Sequence, residues 1–156
     1  MTRTTHRGRN WSDKAVLAAL DLLASGSTSI LSGSERSRLK QRIRSTPVGA
    51  LAGQILRGKV SLRRAVNTTS KRNFAPTMLR ELQLSRQGGL GVLIAQNADR
   101  VARDAHLARD DSGDIVIVEG TEKHKGVLEA LALYAFGDTR ECSAAEAWIA
   151  GVKERI

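Results

Sequence analysis

Arginine and lysine recur at helical spacing in the run SERSRLKQRIRS. Arg36, Lys40 and Arg44 stand four residues apart and share one face of a predicted helix, while Arg38 and Arg42 share the adjacent face. Like charges at this spacing repel by a few tenths of a kcal/mol per pair in an isolated helix, so helix stability does not account for them. An anionic partner does, and we expect these five side chains to contact the phosphates of a nucleic acid.

The basic surface is predicted to continue beyond this run. No acidic residue occurs between Arg36 and Arg72, whereas a surface that serves only solubility mixes both signs. The further residues expected to contact nucleic acid are Gln54, Arg57, Lys59, Arg63, Arg64, Lys71 and Arg72. Two alternatives stay open at this point: a solvated charged face, and a docking surface for an acidic protein.

The two halves of the chain carry opposite net charge. Of the total of +9, residues 1–80 contribute +13 and residues 81–156 contribute −4. A basic excess concentrated in this way is typical of a surface that neutralises phosphates. Only five aromatic residues are present, and single-stranded nucleic acid is commonly bound by stacking its bases on aromatic side chains. The composition therefore favours a duplex, whose phosphates can be contacted without aromatic residues.

No catalytic site is predicted. His6, His106 and His124 have no second ligand at metal-binding spacing, and the last two are expected at the surface. The lone Cys142 excludes an intramolecular disulfide and a thiolate metal cluster. The serines form no nucleophile elbow, and the GGLG run lacks the longer glycine pattern of a phosphate-binding loop. We therefore expect no catalytic residue, no metal and no cofactor, and hence no enzyme.

The expected compartment is the cytoplasm. No apolar run approaches the roughly 20 residues that a membrane-spanning helix needs, so no membrane partner is expected. The basic N-terminus is not followed by the apolar stretch of a secretory signal. A single cysteine fits a reducing environment.

Three helices are predicted in the basic half. The first spans about 13–24 and the second about 34–45, and a third is expected to run from Pro47 to Gly58. Three helices joined by short turns resemble the core of a helix-turn-helix domain. The next run, 59–66, alternates apolar and polar residues and predicts a short strand, with a wing or a helix as alternatives.

The acidic half is predicted to mix helices and strands. A helix over about 76–85 precedes a short apolar strand at 92–96, and IVIVE at 115–119 predicts a strand buried on both faces. Helices are expected after Asn97 and over about 123–135, followed by a final helix.

Several helix ends carry recognisable capping residues. Ser12 is a predicted N-cap and Gly26 a predicted stop for the first helix. Ser143 and Glu146 have the spacing of a capping box, which predicts the start of the final helix.

The predicted fold class is α+β and predominantly helical. We expect a flexible basic arm at 1–10, a basic, helix-turn-helix-like DNA-binding lobe at 11–73, and a mixed α/β lobe at 74–156.

The C-terminal third resembles a known family. SGDIVIVEG at 112–120 and VLEALALYAFGDTRECSAAEAWI at 127–149, with the turn Gly137-Asp138 and the nearby Arg140, resemble the end of the AbiEi-type antitoxins of toxin–antitoxin systems. The resemblance implies an N-terminal winged helix-turn-helix that represses the operon and a C-terminal domain that carries the antitoxin role.

The expected function is duplex-DNA binding, by a transcriptional regulator or an antitoxin of a toxin–antitoxin operon. The alternatives are an adaptor that docks a cognate toxin or another acidic protein, and a binder of structured RNA, whose backbone offers the same phosphates. A homo-oligomer is compatible with the sequence.

Overall fold

Three helices form the N-terminal part of the fold. The computed structural model describes residues 10–65, 74, 76–79, 81, 82, 84 and 89–156. Helix α1 spans Asp13–Ser25, α2 spans Gly33–Ser45 and α3 spans Val48–Leu56. The predicted helices over 13–24 and 34–45 are confirmed almost to the residue. The third begins at Val48, so Pro47 takes the cap position and not the first helical position predicted for it.

The ends of α1 follow from local capping. The Ser12 hydroxyl oxygen accepts a hydrogen bond from the backbone N–H of Ala15 at 3.1 Å, which satisfies a donor that the helix itself leaves unpaired. Gly26 ends the helix with φ of 81°, a conformation that favours glycine. Both predicted caps of this helix are confirmed.

A four-stranded sheet follows the three helices. Its strands are β1 (Val60–Ala65), β2 (Gly91–Ala95), β3 (Leu107–Arg109) and β4 (Ile115–Glu119). Their order is β2-β4-β1-β3, with β2 parallel to β4 and both neighbours of β1 antiparallel to it. The strands predicted at 59–66, 92–96 and 115–119 are confirmed.

Strand β1 is an interior strand and not a wing. Val60 and Leu62 pair with β4, and Arg63 pairs with both Ile115 of β4 and Arg109 of β3. Because both edges of β1 are hydrogen-bonded to neighbours, it cannot project as part of a free hairpin. The wing alternative for this run is therefore wrong.

Three helices complete the described chain. Helix α4 spans Ala98–Asp104 and begins after Asn97, whose Oδ1 accepts a hydrogen bond from the backbone N–H of Arg100 at 3.0 Å. Helices α5 (Lys125–Phe136) and α6 (Thr139–Glu154) follow β4. The helices predicted after Asn97 and over about 123–135 are confirmed.

The helix predicted over 76–85 is replaced, among the residues described there, by a 3-10 turn at Thr77–Leu79. The buried Glu129 of α5 explains the turn. Its carboxylate accepts hydrogen bonds from the Thr77 backbone N–H at 3.1 Å and from the Thr77 hydroxyl at 2.9 Å. A contact made across the fold thus determines the local backbone.

The predicted capping box at Ser143 and Glu146 is wrong. Helix α6 starts one turn earlier, where the Asp138 side chain accepts from the backbone N–H of Glu141 at 2.8 Å. The Glu141 side chain accepts in return from the Asp138 backbone N–H at 2.9 Å. Two residue pairs had the required spacing, and the earlier one forms the box.

The sheet separates two hydrophobic clusters. Val116 and Val118 of β4 belong to the larger cluster, together with side chains of α1, α2, α3, α5 and α6. Ile115 and Ile117 belong to the smaller cluster, which they share with α4. All four side chains are fully buried, so β4 is covered on both faces, as predicted.

The architecture is α+β and predominantly helical, as predicted. The larger cluster combines side chains from both sides of the predicted boundary at residue 73, and β1 pairs with strands that follow it. The core and the sheet are therefore continuous across that boundary, and the division into two lobes stays a prediction.

Candidate nucleic-acid interface

Helix α2 lies at the edge of the fold with most of its surface in solvent. Only Leu39 and Ile43 of its 13 residues are buried, and both belong to the larger cluster. Four of the five predicted phosphate-contacting cations on this helix are exposed, and Lys40 is half-buried. The predicted cationic helix is therefore accessible along its length.

The cations of α2 form two rows, one on each side of the buried Leu39–Ile43 line. At about 100° per residue, one row holds Arg38 and Arg42, and we call it the Arg38 row. The second, the Lys40 row, holds Arg36, Lys40 and Arg44. Between the rows the outermost surface is uncharged, and we call it the neutral ridge: its exposed residues are Ser34, Ser37, Gln41 and Ser45.

The charges in these rows are not paired with Asp or Glu side chains. Among the described residues, no Asp or Glu side chain lies within an N···O distance of 4.0 Å of a cation of α2. One acid, Glu35, lies three residues before Arg38 on the same side of the helix; it is exposed and makes no ion pair with either arginine of that row at this distance. The two rows together thus keep a net positive charge toward solvent.

Trp11 positions the Arg38 row. The guanidinium carbon of Arg42 lies 4.9 Å from the centre of the Trp11 ring, a distance typical of a cation–π contact. Trp11 is in turn held by its backbone N–H, which donates to Gln54 Oε1 at 2.9 Å. The stacking restricts Arg42 without removing its charge.

The chain end near α6 positions the Lys40 row. Arg44 donates from Nε to the main-chain oxygen of Ile156 at 3.0 Å, and its Nη2 contacts the same oxygen. Lys153 of α6 donates from Nζ to the carbonyl oxygen of Thr46. These contacts attach the C-terminal end of α2 to α6.

Helix α3 offers no side chain for reading bases. In a helix-turn-helix pair the second helix reads the major groove, but the exposed positions of α3 are Gly49 and Gly53. The predicted reader, Gln54, accepts the hydrogen bond from Trp11 instead. The exposed cationic helix of this trio is α2.

Arg57 and Lys59 follow α3 and differ in accessibility. Arg57 is exposed, whereas Lys59 is half-buried. Burial lowers the pKa of Lys59 below its ordinary value, although Asp13 and Glu119 oppose the shift. Arg57 is therefore the better placed of the two for a phosphate.

Arg63 is a buried residue of the sheet and not a surface cation. Its side chain is 8% exposed, and its Nη2 lies 3.3 Å from Asp99 Oδ1 of α4. Its Nε donates to Ser61 Oγ at 2.8 Å, and its Nη1 donates to the Leu107 carbonyl oxygen at 3.5 Å. Contrary to the prediction, Arg63 is not accessible to a phosphate, because its side chain lies on the face of the sheet that α4 covers and is hydrogen-bonded there.

Arg64 is exposed but paired. Its Nε lies 3.3 Å from Asp110 Oδ2. Hydrogen bonds from the Ser112 backbone and side chain hold the pKa of Asp110 below its ordinary value, with Arg64 adding to the effect. The predicted contacts Lys71 and Arg72 lie outside the described residues, as do residues 1–9 of the predicted arm.

Comparison with known proteins finds no match for this chain. No protein-family model, no curated protein and no solved structure matches this chain. The resemblance to AbiEi-type antitoxins stays a prediction from the runs at 112–120 and 127–149.

A buried polar cluster joins α1 to the segment before α5. Asp21 Oδ1 lies 2.7 Å from His124 Nε2 and 2.9 Å from Lys123 Nζ, and Thr28 Oγ1 donates to Asp21 Oδ2 at 2.8 Å. Burial raises the pKa of Asp21, but the hydrogen bonds from these three partners outweigh it and bring the pKa to about 2. The expectation that His124 lies at the surface is wrong. An aspartate inside the apolar run LAALDLLA was the one sequence signal for this cluster.

The described residues contain no grouping of three or more His, Cys, Asp or Glu side chains that could hold a metal ion. Nor does any helix among them have the length and apolar character needed to cross a bilayer.

Proposed function

We propose that this protein binds duplex DNA through α2, whose Arg38 row and Lys40 row contact the phosphate backbone. One observation carries the proposal: five cations lie along a single solvent-facing helix, and none is paired with an Asp or Glu side chain among the described residues. Neutralising phosphates releases counterions, which supplies affinity without sequence-specific contacts. Transcriptional regulation and the antitoxin role are the uses of DNA binding that we propose with it.

The contacts of α2 with its surroundings support this function. Arg42 is stacked on Trp11 and Arg44 is bonded to Ile156, so part of each row is ordered before a ligand arrives. A side chain that is already ordered loses less conformational entropy on binding. A merely solvated face needs no such positioning.

The proposed surface is smaller than the one expected from the sequence. It comprises the two rows of α2 and the exposed Arg57 that follows α3, since Arg63 is buried and Arg64 is paired with Asp110. We therefore expect affinity to respond to α2 far more than to β1.

Charge reversal in the Lys40 row tests the proposal. In the double variant Arg36→Glu and Lys40→Glu, two phosphate contacts are lost and the logarithmic salt dependence of affinity should flatten by about 2. The measurement is fluorescence anisotropy of a labelled duplex at several salt concentrations between about 50 and 200 mM. Neither side chain makes a hydrogen bond or ion pair within the described residues, so the variant should fold.

A matched control separates this site from net charge. Arg100→Glu with Arg103→Glu changes the net charge by the same amount on exposed positions of α4, which packs on the other face of the sheet. This control should keep the salt dependence of the wild type. The proposal would be refuted if both variants lost affinity and salt dependence equally. It would also be refuted if the affinity of the wild type did not change with salt concentration.

A further inference from the structure

The neutral ridge of α2 lies between two rows of cations, and this order suggests how the helix meets its ligand. From it we infer that α2 enters the major groove of B-form DNA, with Ser37 and Gln41 facing the base edges. The Arg38 row and the Lys40 row then contact phosphates of opposite strands. The inference rests on the proposed function and goes further, because it assigns the groove and the residues that read sequence.

The dimensions of the two partners agree. An α-helix with its side chains is about 10–12 Å across, and the major groove is about 12 Å wide. Long cationic side chains on both flanks of a helix seated there reach the two backbones that border the groove. Had all the cations stood on one side of α2, they would favour a helix lying along one backbone.

The ridge carries groups that can read bases. Gln41 can pair through its amide with the N6 and N7 atoms of adenine, and a serine hydroxyl can donate or accept. Gln41 Oε1 accepts from Arg44 Nη1 at 3.4 Å, a long contact in an exposed position. Such a contact is readily exchanged for one to a base.

The same geometry disfavours an RNA duplex. The major groove of A-form RNA is deep and narrow, and side chains cannot read it. A helix that presents its polar ridge between two cationic rows fits the wide groove of DNA. We therefore expect duplex DNA to bind more tightly than duplex RNA of the same length and salt conditions.

Modified bases test the assignment of Gln41. A site is first selected by the wild-type protein from a pool of randomised DNA duplexes, and its adenines are then replaced by 7-deazaadenine, which lacks the N7 acceptor in the major groove. The wild type should lose about 2- to 12-fold in affinity, because N7 is one of the two atoms that Gln41 contacts. Gln41→Ala loses both contacts, so it should bind the unmodified site about 5- to 150-fold more weakly and lose nothing further on the modified one. Its salt dependence should stay that of the wild type, because no phosphate contact is removed.

Gln96→Ala is the matched control, since Gln96 is an exposed glutamine that follows β2. It should respond to the modified bases as the wild type does. Three results would overturn the inference alone: no base enriched in the selection, an effect of 7-deazaadenine that survives Gln41→Ala, or equal affinity for duplex RNA. Absence of salt-dependent binding to any duplex would instead overturn the proposed function itself.

Neutral phosphate analogues test the placement of the two rows. Methylphosphonates are introduced into one strand of the selected site at a time, and the loss of affinity is measured for Arg38→Gln and Lys40→Gln. Each substitution should stop lowering the affinity only when the strand that its own side chain contacts carries the methylphosphonates. If both substitutions lost their effect on the same strand, a helix that contacts both strands of the groove would be contradicted.

Discussion

At the residue scale, arginines for which the sequence predicts one role lie in different environments. Arg36 and Arg38 stand in solvent on α2, whereas Arg63 is buried between Ser61, Asp99 and the backbone of β3. Burying a guanidinium is costly unless its donors are satisfied, and here a carboxylate, a hydroxyl and a carbonyl oxygen satisfy them. Arg63 contributes to the sheet, and the phosphate contacts that we propose lie on α2.

Arg63→Met tests this distinction. Methionine keeps the apolar stem and removes the charge, so the free energy of unfolding should fall by about 1–3 kcal/mol through the lost charged hydrogen bonds. Under native conditions the salt dependence of DNA binding should not change, since no phosphate contact is lost. Denaturant unfolding and anisotropy are measured on the same preparation. A flatter salt dependence of DNA binding in Arg63→Met would show that Arg63 does contact a phosphate.

At the scale of elements, α2 is stable despite its like charges because it is attached at its C-terminal half. Leu39 and Ile43 bury the single apolar line of the helix. Lys153 of α6 bonds to the carbonyl oxygen of Thr46, just beyond the last turn, and Arg44 bonds to Ile156. Repulsion among the five cations costs a few tenths of a kcal/mol per pair, which two buried side chains outweigh.

Helix α1 is attached to the remainder of the fold through the Asp21 cluster. The carboxylate of Asp21 bonds to Thr28 in the following loop and to Lys123 and His124 before α5. These links cross the larger core and place α1, against which α2 packs. The position of the proposed interface thus depends on a cluster that lies outside it.

Asp21→Asn should lower the free energy of unfolding at neutral pH by about 2 kcal/mol, because a charged acceptor is lost. The folded pKa of about 2 lies below the ordinary 3.8. The unfolded state therefore binds more protons between these values, and wild-type stability rises with pH there. As pH falls from about 4 to 2, the wild type should lose this contribution and the variant should not. Urea unfolding between about pH 2 and 4 measures this loss of stability, and Asp104→Asn, at an exposed position, is the control. If Asp21→Asn kept the pH dependence of the wild type, the Asp21 carboxylate would not be its source.

At the scale of the whole molecule, the helices before β1 and those after β4 share one core. Side chains of α1 and α3 pack in the same cluster as those of α5 and α6, and β1 lies between strands that come later in the chain. A protein in which the predicted lobes share their interior should unfold cooperatively.

The two tryptophans report on this cooperativity. Trp11 and Trp148 contact the larger cluster from the two ends of the chain. In Trp148→Phe and in Trp11→Phe, the fluorescence of the remaining tryptophan should change at the denaturant concentration at which circular dichroism shows the helices unfolding. Two separated transitions in either variant would instead support independent lobes divided near residue 73.

Properties that depend on neighbours along the chain were predictable. Helical spacing, period-2 alternation and the caps at Ser12 and Asn97 located α1, α2, α4, β1 and β4, and with them the α+β class. The same spacing placed five cations on α2, because side-chain direction along a helix follows from residue number. The turn at Thr77 was not predictable, because its partner Glu129 is 52 residues away.

Most helices and strands, and the charge on α2, could thus be predicted from residues that are neighbours along the chain. Which basic residues are exposed depended on contacts between distant segments. Arg63 meets Asp99 across 36 residues and Trp11 meets Gln54 across 43, and no local pattern encodes such pairs. The physical reason is that burial and partnership depend on which distant segments pack together, whereas propensity and periodicity act within a few residues.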